Sequence, residues 1–178
     1  MRHLKTLGPV PILWDRWKLG NPFARRLLVP ELLDAVAERT ELLLDLKGRD
    51  RRLSRALLEL LEPTLHAGRQ VTVCARSWPL LEPFSGVTGT RLVHSVGSGR
   101  DLRRLRRLVA GKRLQAITIH ERLLDSRTVR DLRELADTII TWPINTVERA
   151  QELVSLGVDG LISDRPALLQ PVVGVDSR

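Results

Sequence analysis

The 178-residue sequence contains no tyrosine, two phenylalanines and four tryptophans, so that aromatic residues make up only 3% of it. So few flat rings leave little for stacking against nucleic-acid bases. It has a single cysteine, Cys74, which excludes a disulfide framework and a thiolate zinc site within one chain. One cysteine also fits a reducing, cytoplasmic setting. Lysine is scarce: Lys5, Lys18, Lys47 and Lys112 are the only four, and arginine supplies most of the 29 basic residues that outweigh 21 acidic ones. No apolar run approaches the ~20 residues of a membrane span. The opening residues, "MRHLKTLGPV", lack the apolar stretch of a signal peptide.

What is present is a globular composition, 43% hydrophobic and 28% charged, long enough for one domain with a sizeable core. The net charge of +8 fits nucleic acid, a membrane surface or an anionic substrate. It equally fits an arginine-rich composition with no functional meaning, so charge does not choose between them.

From residue 30 the sequence alternates. "PELLDAVAER" (30–39) has Leu32, Leu33, Val36 and Ala37 at helical spacing behind Pro30, a favoured first-turn residue. "ELLLDLKG" (41–48) reads as a buried strand and "RRLSRALLELLE" (51–62) as an amphipathic helix stopped near Pro63. Strands are expected again near 70–76, 91–96, 114–121, 137–142 and 158–164. Helices are expected over 101–110, 128–136 and 146–157, with only a short one at "PLLEPF" (79–84). These six β/α units carry strands that are continuous apolar runs, as in a parallel sheet covered by helices. Residues 1–29, with Gly8, Pro9, Pro11, Gly20 and Pro22, show no strand-helix rhythm and are expected to be irregular. A barrel of ~250 residues spends about 31 per unit, so six units fit this length without closing eight strands. Either a small open α/β sheet or most of an eight-stranded barrel satisfies the pattern.

In both architectures ligands bind beyond the carboxyl ends of the strands. Asp45 and Lys47, two apart, point to the same face and either receive a cation and an anion or simply pair. His94 and His120 are acid/base candidates or ordinary rim histidines. Arg76 and Trp142 also end strands, and Asp164 follows the last one. "VGSGRD" (96–101) could offer free N–H groups to a phosphate at a helix start. In "DLRRLRRLVA" (101–110), Leu102, Leu105, Leu108 and Val109 make the stripe to be buried, and four arginines face away. Trp14 and Trp17 could clamp a ligand or pack the N-terminal segment.

Taken in order, these strand ends resemble the glycerophosphodiester phosphodiesterase family. "TIITWPINTVERAQELVSLGVDGLISDRP" is similar to that family's last two units, where a Trp-Thr-Val-Asn-like strand end precedes a helix and Gly-Val-Asp-Gly-Ile-Ile-Thr-Asp-x-Pro. "LLLDLKG" stands where the family has Glu-Ile-Lys, "VPELLDAV" resembles the helix before it, and "RHLKTL" resembles the stretch with the second catalytic histidine.

The resemblance implies a (β/α)8 TIM-type barrel, with about six of the eight units present and residues 1–178 as one domain. It implies metal-dependent hydrolysis of a small anionic glycerophosphodiester to an alcohol and glycerol 3-phosphate, with calcium or magnesium as the cation. Two histidines serve as general acid and base there, and the metal neutralises phosphate charge. Carried over, His3 is the catalytic histidine, Asp45 the metal carboxylate, Lys47 the phosphate lysine and Trp142 the pocket tryptophan; by their strand-end positions alone, His94 and His120 are expected near the substrate. Leu4 stands where an aspartate is expected. The family's His-Arg-Gly and Glu-x-Asp motifs do not occur in this sequence. The expectation is that they belong to two units encoded before Met1, and that the 178-residue chain is weakly active or a non-catalytic phosphate binder. Nucleic acid is not expected as the partner.

Overall fold

The structure, a computed structural model, describes residues 3–7, 10–15, 18–20, 27–37, 40–109 and 111–173. The chain packs as two compact units, 1–38 and 39–178. In the first, strands β1 (His3–Leu7), β2 (Val10–Asp15) and β3 (Lys18–Gly20) form an antiparallel sheet in that order. The segment is therefore less irregular than expected. Antiparallel neighbours need only a short connection, so a sheet forms here without any strand-helix rhythm. Helix α1 (Val29–Ala35) follows, with Pro30 in its first turn and the Glu31 carboxylate accepting the Leu28 N–H at 3.0 Å.

The second unit contains the six expected strands. In chain order they are β4 (Leu42–Leu46), β5 (Val71–Ala75), β6 (Thr90–Val96), β7 (Leu114–His120), β8 (Ala136–Trp142) and β9 (Gly160–Leu161). All neighbours are parallel and stand in strict sequence order. A doubly wound sheet would reverse its order at a switch point, and this one does not. The six strands curl into a half-barrel flanked by α2 (Arg51–His66), α3 (Gly99–Leu108), α4 (Ser126–Arg133), α5 (Val147–Ser155) and the short α6 (Gln170–Val173). A 3-10 segment, Trp78–Phe84, takes the place of a helix between β5 and β6.

Strand alternation divides the side chains between two faces. Val96, Ile117, Ile119 and Ile139 join Leu105, Val109, Val129, Leu132, Ala150 and Leu153 in one buried cluster between sheet and helices. On the other, concave face, Cys74, Val93 and Ala116 form a smaller cluster, beside buried Ser95 and Thr118.

Three local expectations are corrected. Helix α2 does not stop at Pro63 but runs on to His66. The carbonyl that proline leaves without a donor belongs to Glu59, an exposed residue. Leu108 is 53% exposed, because Leu105 and Val109 already fill the inward side of α3. Strand β9 shrinks to two residues, although Asp159 N–H donates to Ile139 O at 2.9 Å and Ile162 N–H to Thr141 O at 2.8 Å on either side of it.

Candidate functional site

At the carboxyl end of β4, Asp45 and Lys47 share the concave face, as their spacing predicts. The Lys47 ammonium donates to Asp45 Oδ2, and both side chains remain accessible. Directly across the ladder from Asp45 lies Cys74, with its sulfur 3.5 Å from Thr118 Oγ1. Burial pushes the Cys74 thiol up to about 11, with Asp45 reinforcing the shift and Thr118, Lys47 and Ser95 opposing it. At neutral pH it is an inert thiol, not a nucleophile.

His120 and Trp142 end their strands as register partners, and their rings meet edge to face with centroids 4.8 Å apart. The Arg122 backbone N–H donates to His120 Nδ1 at 3.2 Å, which leaves the proton of the neutral ring on Nε2. Burial, aided by the charges of Arg122 and Arg76 and opposed by Glu121, holds His120 below the ordinary histidine range. It therefore acts near neutrality as a hydrogen-bond donor rather than a cation.

Arg76 completes this group. It lies two residues past Cys74, on the same face, with its guanidinium carbon 5.3 Å from the centroid of the Trp142 ring. Its other side rests on Gly97, where an added Cβ would sit 3.0 Å from Arg76 Cζ and Nε. Among the described residues no hydrogen bond or ion pair engages Arg76, whereas Lys47 has Asp45 and Arg149 has Glu121 and Glu152. Sequence reading named Arg76 as a strand-end residue without giving it a role. Its signal was the two-residue step from Cys74.

His94 does not join the site. It stands between Val93 and Ser95 and points to the opposite face, in register with Ala75 and Ile117. There its ring packs against Trp78 at 5.6 Å and lines an outer hollow of about 440 Å³ with Phe84, Leu92 and Gln115. Nδ1 is buried without a hydrogen-bond partner among the described residues, and burial pushes its pKa down. The side chains of His3, Trp14 and Trp17 lie outside the described residues. The glycine-rich start of α3 is already occupied: Gly97 N–H donates to Asp101 Oδ2 at 3.2 Å, and Asp101 N–H to Ser98 Oγ at 3.2 Å. No phosphate is needed there.

Among the described residues no group of three or more histidine, cysteine, aspartate or glutamate side chains could hold a metal ion. Calcium and magnesium take six or more oxygen ligands. Asp45 is one carboxylate, already bonded to an ammonium, so the described residues do not fit such an ion.

Three solved structures share this arrangement of strands. A glycerophosphodiester phosphodiesterase from Thermotoga maritima matches 88% of this chain at 18% identity and a TM-score of 0.65. An Oleispira antarctica phosphodiesterase, solved with its product sn-glycerol-3-phosphate, matches 73% at 18% identity and 0.59. A Parabacteroides distasonis glycerophosphodiester phosphodiesterase matches 78% at 18% identity and 0.56. The fold is that of the glycerophosphodiester phosphodiesterases. The chain spans 65%, 53% and 59% of the lengths of these three enzymes. No protein-family model matches the sequence, and no curated protein sequence matches it significantly. Against the glycerophosphodiester phosphodiesterase frame, the gathered residues lie where a parallel barrel places its ligand, at the carboxyl ends of the strands. No helix among the described residues is long and apolar enough to cross a membrane.

Proposed function

We propose that the concave strand ends bind the phosphate of a glycerophosphodiester or of glycerol 3-phosphate, and that the 178-residue chain hydrolyses the diester weakly or not at all. The observation that carries this reading is the convergence of Lys47, His120 and Trp142 on one rim of a phosphodiesterase-type half-barrel. Lys47 supplies positive charge to phosphate oxygens, exchanging its bond to Asp45 for one to the ligand. His120 offers the Nε2–H of a neutral ring, and the Trp142 ring gives the glycerol carbons an apolar wall.

The catalytic side is sparse. His3 enters as general acid or base through the resemblance alone, and among the described residues no cluster of ligands stands beside Asp45 for a calcium or magnesium ion. Removing one member of such a constellation typically costs several orders of magnitude in rate. His94, on the outer face, has no part in this reading.

Calorimetric titration with sn-glycerol 3-phosphate tests it. The wild-type chain should bind, and Lys47→Ala should weaken binding roughly tenfold or more, since a hydrogen bond to a charged group contributes about 1.5–3 kcal/mol. Hydrolysis of glycerophosphodiesters should stay near background with calcium, magnesium or chelator present. A wild-type chain that binds no glycerol 3-phosphate sinks the reading, and robust cation-dependent turnover overturns its second half.

A further inference from the structure

We infer that Arg76 is a second anion-receiving group of this site, beside Lys47, and restricts its diester ligands to glycerophosphodiesters whose alcohol is uncharged or anionic. The inference rests on the phosphate-binding reading above and adds the substrate class. Three observations converge on it.

The first is vacancy of its hydrogen-bonding fork. A guanidinium has five N–H donors in a rigid plane, matched to two phosphate oxygens at once. At the rim the Lys47 ammonium must give up Asp45 before it meets a ligand, while Arg76 has no acceptor to give up among the described residues. The second is preorganisation. The Trp142 ring centroid, 5.3 Å from the guanidinium carbon on one side, and Gly97 close by on the other narrow the range of this exposed side chain before any ligand arrives. A long flexible side chain normally loses rotamer freedom on binding, and here part of that freedom is already gone.

The third concerns the ring beneath it. An exposed tryptophan face at a diester site is the natural receptor for a quaternary ammonium, through cation–π attraction. Here Arg76 stands over the Trp142 ring and His120 presses against it. A choline or ethanolamine group would have to displace a cation of the protein and sit beside its charge. Among the described residues Asp45 is engaged by Lys47, and Glu121, next to His120, is engaged by Arg149. The site therefore accepts the phosphate and repels a cationic alcohol, so glycerol-like polyol diesters are its class.

The experiment is a calorimetric comparison of sn-glycerol 3-phosphate, glycerophosphoglycerol and glycerophosphocholine on wild type, Arg76→Gln and Arg76→Lys, with circular dichroism confirming the fold of each. Wild type should bind glycerophosphoglycerol at least ~10-fold more tightly than glycerophosphocholine, as expected when one close charge pair is exchanged for one repulsion. Arg76→Gln should lose roughly tenfold or more in glycerol 3-phosphate affinity and erase the preference between the diesters. Arg76→Lys should keep the preference but bind glycerol 3-phosphate less tightly, because the fork is gone. Unchanged affinities in Arg76→Gln, or equal binding of both diesters by wild type, overturn the inference and leave the phosphate-binding reading standing. Failure of wild type to bind any of the three overturns both.

Discussion

His94 holds an imidazole against Trp78, with Nδ1 unpaired among the described residues, and burial alone lowers its pKa from the ordinary 6.5. Below pH 6.5 the unfolded chain takes up a proton that the folded chain resists. The stability linked to this group is thus full above that pH and is lost as pH falls through the lower folded value. Thermal unfolding should show a constant midpoint from pH 7 to 8 and a decline towards pH 5. His120, shifted the same way, works in the same window, so His94→Gln should flatten the decline rather than abolish it. An unchanged slope in that variant would assign the acid sensitivity elsewhere. Gly97 makes a second point at this scale. A methyl group there meets the Arg76 guanidinium at 3.0 Å, and the far end of a flexible side chain can swing away. Gly97→Ala should keep its unfolding midpoint within a few degrees of wild type yet bind glycerol 3-phosphate more weakly, a split readable from calorimetry on one sample.

The junction of β8 and β9 is closely packed. A Cβ on Gly160 would lie 3.1 Å from Ile140 Cγ1 and 3.3 Å from Cγ2. Gly160→Ala should therefore destabilise by about 1–3 kcal/mol, the usual cost of overpacking. The same change in an Ile140→Ala background should cost clearly less, and denaturant titration of the four proteins measures that coupling. Glycine was needed here by a neighbour twenty residues away, which no local pattern reveals. Legibility followed the same division. The helices were readable from i, i+3 spacing, while the side chains of Ser98, Asp125 and Thr146, which accept first-turn N–H groups, set where α3, α4 and α5 begin. The strands were readable as apolar runs, but not which way each side chain faced. In "RLVHSV", Ser95 and Val96 are buried on opposite faces, so nothing in it distinguishes the face of His94 from that of Ser95. His120 and Trp142 were found because they close their strands in phase with the concave face. Arg76 was seen and left unassigned, since its confinement depends on Trp142 and Gly97 from other segments of the chain.

At the scale of the molecule, a net charge of +8 and a sequence pI near 11.0 set up a field that draws in anions before any contact is made. Association of sn-glycerol 3-phosphate, followed by stopped flow, should slow markedly between ~20 and 200 mM salt, where the Debye length shortens from about 20 to 7 Å. Glycerophosphocholine, with no net charge, should respond little, and equal slopes for the two ligands would remove steering from the account. The strict strand order has a consequence of another kind. Leu42 pairs with Val71, Val71 with Thr90, Val93 with Ala116, Ala116 with Thr138 and Ile140 with Gly160. Each partner is thus the strand made immediately before, only about 20–30 residues back along the chain, so that loop closure is short at every step. As the polypeptide leaves the ribosome, every new strand finds a template already waiting at the growing margin of the sheet. Assembly can keep pace with translation, one unit at a time from β4 towards β9.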